Sequence, residues 1–280
     1  MGRIGNSWNL AKTSWGVLRA DKTLAALPAF SGLVSLLALA VFAGLFLLLG
    51  IDFGSGDESA AVEPAGYVIG VFAYLAFAFI AVYFQAALVA GANERLQGGD
   101  ANVGRSLTAA NERLPRLLPW AVVTATVSII LSQLERQGWV GAIVANLLGM
   151  AWAVVTFLTV PIIMLEDLGP VAALKRSGTL FKQTWGENLV AQAGFGLFGF
   201  LLFLPAIAVA ALGIATGSGV VAGVAIGIAV AWIAIVMVVL SALSGIYRTA
   251  LYRYAVDGRA PTAFAGTDFA SAFTTKRGRG

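Results

Sequence analysis

Apolar residues run through this chain in blocks too long for a soluble core, and the polar residues between them gather in short, separate clusters. Six blocks stand out, at about residues 28–50, 67–92, 117–134, 140–165, 189–213 and 219–247. Each reaches the length of about 18 residues at which an uncharged apolar run reads as a helix crossing a bilayer core. The clearest stretch is Asn188 to Tyr247, sixty consecutive positions without Asp, Glu, Lys or Arg, which makes two crossings and a turn. The breaks are turn-forming. "IDFGSGDESAAVEPAG" is polar and acidic, while "LERQGW" and "ATGSG" have the length of hairpin connections.

Three of the polar clusters have helical period. In the segment from Ala172 to Val190, Leu174, Gly178, Phe181 and Trp185 fall at i, i+4, i+7 and i+11, with Lys175 and Lys182 flanking that face. Arg176, Gln183 and Glu187 lie opposite, and Pro170 suits the first helical turn. The leader repeats the spacing with Ile4, Trp8, Ala11, Trp15 and Leu18, and carries Lys12 and Arg19. The second connection repeats it with Val103, Leu107, Ala110, Leu114 and Leu117, where Pro115 should break the helix at about Leu114. Helices of this kind lie in the interface plane, apolar side chains in the acyl boundary and lysines reaching to headgroups. A weaker echo, "TDFASAF", occupies the tail, with Thr267 or Asp268 as its N-cap.

These elements predict an all-α polytopic membrane protein: a six-transmembrane-helix bundle with interfacial amphipathic helices on the cytoplasmic side. Each interfacial helix precedes a transmembrane hairpin, so the arrangement reads as three repeats. Residues 1–27 form a leader, 28–257 the membrane domain and 258–280 a basic tail. The first apolar run lacks a convincing cleavage site and reads as a retained span rather than a secretory signal.

Composition sharpens this picture. Of 280 residues 59% are hydrophobic and 11% charged, less than half the ~25% of a soluble domain. Net charge is only +4, but its placement is one-sided: seventeen of the 18 Lys and Arg residues fall in the leader, the second and fourth connections and the tail, leaving Arg136 alone opposite. The positive-inside bias puts that rich face in the cytoplasm, with both termini inside. An even number of spans agrees. The opposite face carries Asp52, Asp57, Glu58, Glu63 and Glu135 on loops too short for a folded ectodomain.

Candidate chemistry is sparse. Cysteine and histidine are absent, which excludes disulfides, thiolate or imidazole metal sites and histidine-based nucleophilic arrangements. No ionisable residue falls mid-span, where proton relays and ion-coupled sites usually need one. Glu94, Glu166 and Asp167 stand at cytoplasmic span ends and are expected to be solvated; Pro161 is expected to kink the fourth helix, the one hinge-like spot. Gly219, Gly223, Gly227 and Ala231 form a small-residue stripe suited to packing inside the bundle, or to self-association as a homo-oligomer. Thr124, Ser128 and Ser132 form a ladder on the third span, and Asn146, Gly149, Ala153 and Thr156 share a face of the fourth. Counting from the turn places Ser128 level with Asn146, so a hydrogen bond between them is expected.

The expected role is therefore non-enzymatic and without cofactor. The basic helices, through Trp8, Lys12, Trp15, Arg19, Lys175, Arg176, Lys182 and Trp185, would hold anionic membrane lipids or dock a cytoplasmic or membrane protein partner. A small-solute transporter or channel, or an accessory subunit of one, is the alternative. Phosphate-loop, dinucleotide and nucleic-acid motifs are absent, so nucleic acid is not an expected partner.

The stretch "TVPIIMLEDLGPVAALKRSGTLFKQTWGENLV", with "SWNLAKTSWGVLRADKTLAALP", "LPWAVVTATVSIILSQLERQGWVG" and "TALYRYAVDGRAP", resembles a family of bacterial integral membrane proteins that is a domain of unknown function. The arrangement is also distantly similar to the membrane portion fused to some glycerophosphodiester phosphodiesterases. The phosphodiesterase catalytic domain is missing, so the resemblance implies a topology and no activity.

The charge partition makes a direct prediction. An impermeant amine reagent applied to one side of sealed vesicles should label Lys12 and Lys182 together; labelling from opposite sides would overturn the topology.

Overall fold

The computed structural model describes residues 13–49, 64–185, 193–259, 261 and 264. Among these every regular element is a helix. They are α1 (residues 13–20), α2 (Thr23–Leu48), α3 (Pro64–Leu96), α4 (Val103–Glu112), α5 (Leu114–Glu135), α6 (Gly138–Thr156), α7 (Thr159–Leu165), α8 (Pro170–Trp185), α9 (Ala193–Ala215) and α10 (Gly219–Asp257). Five helical segments are long and apolar enough to cross a membrane: α2, α3, α5, α6 with α7, and α10. The expected fifth span coincides with α9, of which Leu202–Ala215 reads as a shorter apolar helix.

The chain divides into two compact units, one of Ala29–Ala90 with Val103–Gly178, the other of Met1–Pro28, Gly91–Asn102 and Thr179–Gly280. In the first, α5 and α6 pair through small residues. Ala121 and Ala125 on α5 and Gly141 and Ala145 on α6 are buried, and Trp120 stacks on Trp152 with ring centroids 6.0 Å apart. Without a hydrophobic gain between helices in lipid, small side chains let backbones close up and collect dispersion contacts. Gly138 turns this hairpin at φ +87, a conformation that costs glycine nothing. On the α3 side, the Tyr83 hydroxyl donates to Asn111 Oδ1 at 2.8 Å and fixes α4.

In the second unit α9 packs along α10. Ala206 and Gly213 on α9, and Ala225, Ala229 and Val236 on α10, are buried, and the Trp232 indole N–H donates to the Leu202 carbonyl at 2.9 Å. Toward its C-terminus α10 is enclosed by protein, with Leu243, Ile246, Tyr247, Ala250, Leu251 and Tyr252 buried. Its first half exposes Val220, Val224, Ile228 and Ile235, an apolar surface of the kind that lipid or a partner helix covers. At 39 residues α10 is about 58 Å long, well beyond a ~30 Å core, so one end must stand in the headgroup region.

Helix ends depart from expectation by a few residues, for local reasons. α2 starts at Thr23, not Pro28, because Asp21 Oδ1 accepts the Thr23 N–H at 3.1 Å as a cap. Pro28 then sits inside the helix. The break near Pro115 falls where expected: α4 ends at Glu112, and Pro115 takes the first turn of α5, where its missing N–H is no loss.

The small-residue stripe is a correction. Gly219, Gly223 and Gly227 have no neighbouring atom within 4 Å of a Cβ position, and Ala231 is exposed; α10 meets α9 through Ala225 and Ala229 instead. At Gly213, by contrast, a Cβ would collide with that of Ala225. Gly213→Leu should therefore destabilise the protein by about 1–3 kcal/mol through overpacking. Gly223→Ala should change stability by less than about 0.5 kcal/mol. Thermal unfolding in detergent checks both.

Candidate functional site: a broken span and its arginine clamp

The segment "TVPIIMLED" ends the fourth spanning helix, and one residue dictates its shape. Pro161 has no N–H to give the carbonyl four residues back, and its ring crowds that carbonyl. α6 accordingly stops at Thr156, Phe157 and Leu158 form a turn, and α7 resumes at Thr159 with Pro161 in its first turn. The break lies upstream of the proline itself. Phe157 N–H reaches the Val154 carbonyl at 3.2 Å, a tightened turn, and Ile162 N–H reaches Leu158 at 3.0 Å.

That leaves the Leu158 N–H in need of a partner, which α8 supplies. Ser177 Oγ accepts it at 3.2 Å, with both residues fully buried. In lipid a freed backbone group must be met by protein or enclosed water, and a serine hydroxyl is a standard provider. Thr159 through Met164 are all buried as well, so the kink expected at Pro161 is enclosed by packing rather than open.

Just beyond α7 comes Glu166–Asp167. Asp167 has φ +58, the one non-glycine residue with positive φ among those described; Asp tolerates this region better than most. Its Oδ1 lies 2.8 Å from Arg113 Nε and 2.6 Å from Arg116 Nη1. Neither contact is aligned as a hydrogen bond, so Asp167 holds the two arginines by charge rather than by a directed bond. Glu166 takes Arg176 of α8, with Nε at 3.2 Å and 3.4 Å from its two oxygens. The α7–α8 turn thereby ties the α4–α5 junction to α8. The side chains stay 23–43% exposed, so each pair contributes modestly, at most about 1 kcal/mol.

The expectation that these two carboxylates are simply solvated is thus corrected: both are ion-paired. Three guanidinium groups against two carboxylates leave one excess positive charge at a helix end. The described residues contain no cluster of three metal-ligating side chains.

The other expected residues fall as follows. On α8 the buried face is Ala173, Ser177, Leu180 and Phe181, one position out of phase with the expected Leu174, Gly178, Phe181 and Trp185. Lys175 and Lys182 are exposed as expected, while Arg176 turns to Glu166. On α1 Trp15 is 47% exposed and Arg19 is exposed, with Ser14, Val17 and Leu18 on the buried side. Trp8, Lys12 and the side chain of Trp185 lie outside the described residues, as does "TDFASAF". The Ser128–Asn146 bond is not made. Asn146 Nδ2 donates to its own helix at the Ala142 carbonyl, 2.8 Å away, and both residues are exposed. Thr124, Ser132 and Thr156 likewise donate to carbonyls three or four residues back.

Ser177 and the Arg113–Arg116 pair were missed by sequence reasoning. Ser177 stood inside a helix read as lipid-facing. The signal for the arginines was available: Arg-x-x-Arg around a helix-starting proline and Glu-Asp at a span end share one face, and opposite charges there should meet.

Three substitutions at two positions test this site through thermal unfolding. Ser177→Ala leaves a buried N–H without a partner and should cost about 1–3 kcal/mol. Asp167→Ala and Asp167→Gly lose the same ion pairs, but alanine also bears the left-handed backbone, so it should be the less stable by about 1–2 kcal/mol.

Comparison with known proteins adds a family and nothing more specific. Neither the curated proteins nor the solved structures contain a match to this chain. No link to the glycerophosphodiester phosphodiesterases is found. The model of a family of unknown function, DUF6159, matches residues 64–262, which take in the broken span, its arginine clamp and helices α3 to α10, and the chain belongs to that family.

Proposed function

We propose that this protein is a six-span integral protein of the bacterial cytoplasmic membrane, non-enzymatic, which organises anionic lipid or partner proteins through basic helices on its cytoplasmic face. α9 supplies the sixth crossing, its 23 residues spanning about 35 Å. Both termini then lie on the side that carries seventeen of the 18 basic residues. That partition is the observation on which the reading rests, because Lys and Arg in short loops are what orient a polytopic chain. The repeat of interfacial helix plus hairpin belongs to the same proposal, with α1, α4 and α8 in the interfacial role.

The outward faces of the long helices support a lipid setting. Leu33, Leu36, Leu37 and Val41 on α2 are exposed, as are Ile143, Leu147 and Met150 on α6. Transport gains no support from the polar residues of α5 and α6, since Ser128 and Asn146 are exposed and Asn146 is satisfied by its own helix. The exposed glycine stripe of α10 is the surface on which a homo-oligomer would form.

Extraction in mild detergent followed by identification of retained lipid and protein tests the proposal. Anionic phospholipid should be enriched over the bulk membrane, and Lys175→Gln with Lys182→Gln should reduce that enrichment. Retained lipid of bulk composition, with no protein partner, would defeat the reading.

A further inference from the structure

The basic residues of this chain are not equivalent, and the difference points to one surface. Arg113, Arg116 and Arg176 spend their charge on Asp167 and Glu166, and Arg95 spends its own on Asp100 at 3.0 Å. Arg19 and Lys22 do not: among the described residues neither side chain has an ion-pair or hydrogen-bond partner, and both are exposed. The nearest carboxylate in sequence, Asp21, forms an ion pair with neither. It is 9% exposed, and its two oxygens accept the Thr23 N–H at 3.1 Å and the Ala101 N–H at 2.8 Å.

Geometry places these cations with an aromatic partner. Asp21 N–H bonds the Val17 carbonyl at 3.1 Å and closes the last turn of α1, which ends at residue 20. Ser14, Val17 and Leu18 face inward on α1, whereas Trp15 and Arg19 stand one turn apart on its exposed side, and Lys22 follows, also exposed, in the turn before α2. An indole prefers the boundary of acyl chain and headgroup, and two cations beside it meet the phosphate level. The spanning helix α2 begins at Thr23, immediately after Lys22, so this flank cannot be far from the membrane surface.

We propose that Trp15, Arg19 and Lys22 form a binding face for the phosphate of an anionic phospholipid in the adjoining leaflet. The inference rests on the lipid-organising reading above and narrows it: recognition resides on α1, while the arginines around Asp167 hold the fold. Charge complementarity selects the lipid, because the face has two cations and, among the described residues, no anion paired with them.

The full-length protein in phosphatidylcholine bilayers, doped with brominated phosphatidylglycerol or brominated phosphatidylcholine, provides the test. The Trp15 signal is obtained by difference from Trp15→Phe. Brominated phosphatidylglycerol should quench Trp15 at lower mole fraction than brominated phosphatidylcholine. That preference should fall about fivefold for each cation removed in Arg19→Gln and Lys22→Gln. Arg19→Lys should retain it, and Arg136→Gln, an exposed cation in the α5–α6 turn, should leave it unchanged. Equal quenching by the two lipids, alongside enrichment of anionic lipid in the purified protein, overturns this site and spares the broader reading. Absence of both preferences overturns the two together. Unchanged unfolding temperatures in the exposed-charge variants establish that a lost preference is not lost folding.

Discussion

The structure depends on a constraint that lipid imposes and water does not: no backbone N–H or carbonyl can be left bare in the hydrocarbon. A proline near the end of a spanning helix breaks that rule unless another element intervenes. At Phe157–Leu158 the intervening element is α8, which brings Ser177 to the Leu158 N–H. A segment whose composition suggests a lipid-lying helix thus acquires a buried face and a defined place. The same economy governs the hydroxyls of Thr124, Ser132 and Thr156, which bond their own helices rather than each other. Trp232 applies it between helices, using an indole N–H on a neighbouring carbonyl.

Charge follows a second logic. Arginines at helix junctions are drawn to the few carboxylates available there, and those pairs set where the junctions sit. Glu166–Asp167 is effective because it occupies a turn between α7 and α8, where one carboxylate can face the α4–α5 junction and its neighbour can face α8. Cations not absorbed in this way remain for whatever lies outside the protein. A count of basic residues between the long helices therefore overstates the charge free to meet a partner.

Much of this could be read from the chain. Apolar runs and turn residues located the long helices to within about five positions at each end, save that α10 runs on from Tyr247 to Asp257, and Pro115 and Pro161 each marked a break. What periodicity could not supply was rotational phase. On α8 the expected face was chosen by size, from Leu174, Phe181 and Trp185, whereas the buried face is set by Ser177, a small polar residue whose partner is a backbone group unmasked elsewhere. On α10 the glycine stripe looked like the packing surface, yet the contact with α9 runs through Ala225 and Ala229. Alanine and glycine both permit close approach, and only the partner helix decides between adjacent stripes. The arginine clamp escaped notice for a different reason. It joins residues about fifty positions apart, and no local pattern announces such a meeting.

Asp21 has an implication for how the chain comes to rest in the bilayer. One of its oxygens is served by Thr23, two residues away, and that bond is available as soon as α2 begins to wind. The other accepts from Ala101, eighty residues later and beyond the end of α3. One carboxylate thus caps α2 and latches its start to the segment after α3, a closure open only to a chain with both helices in place.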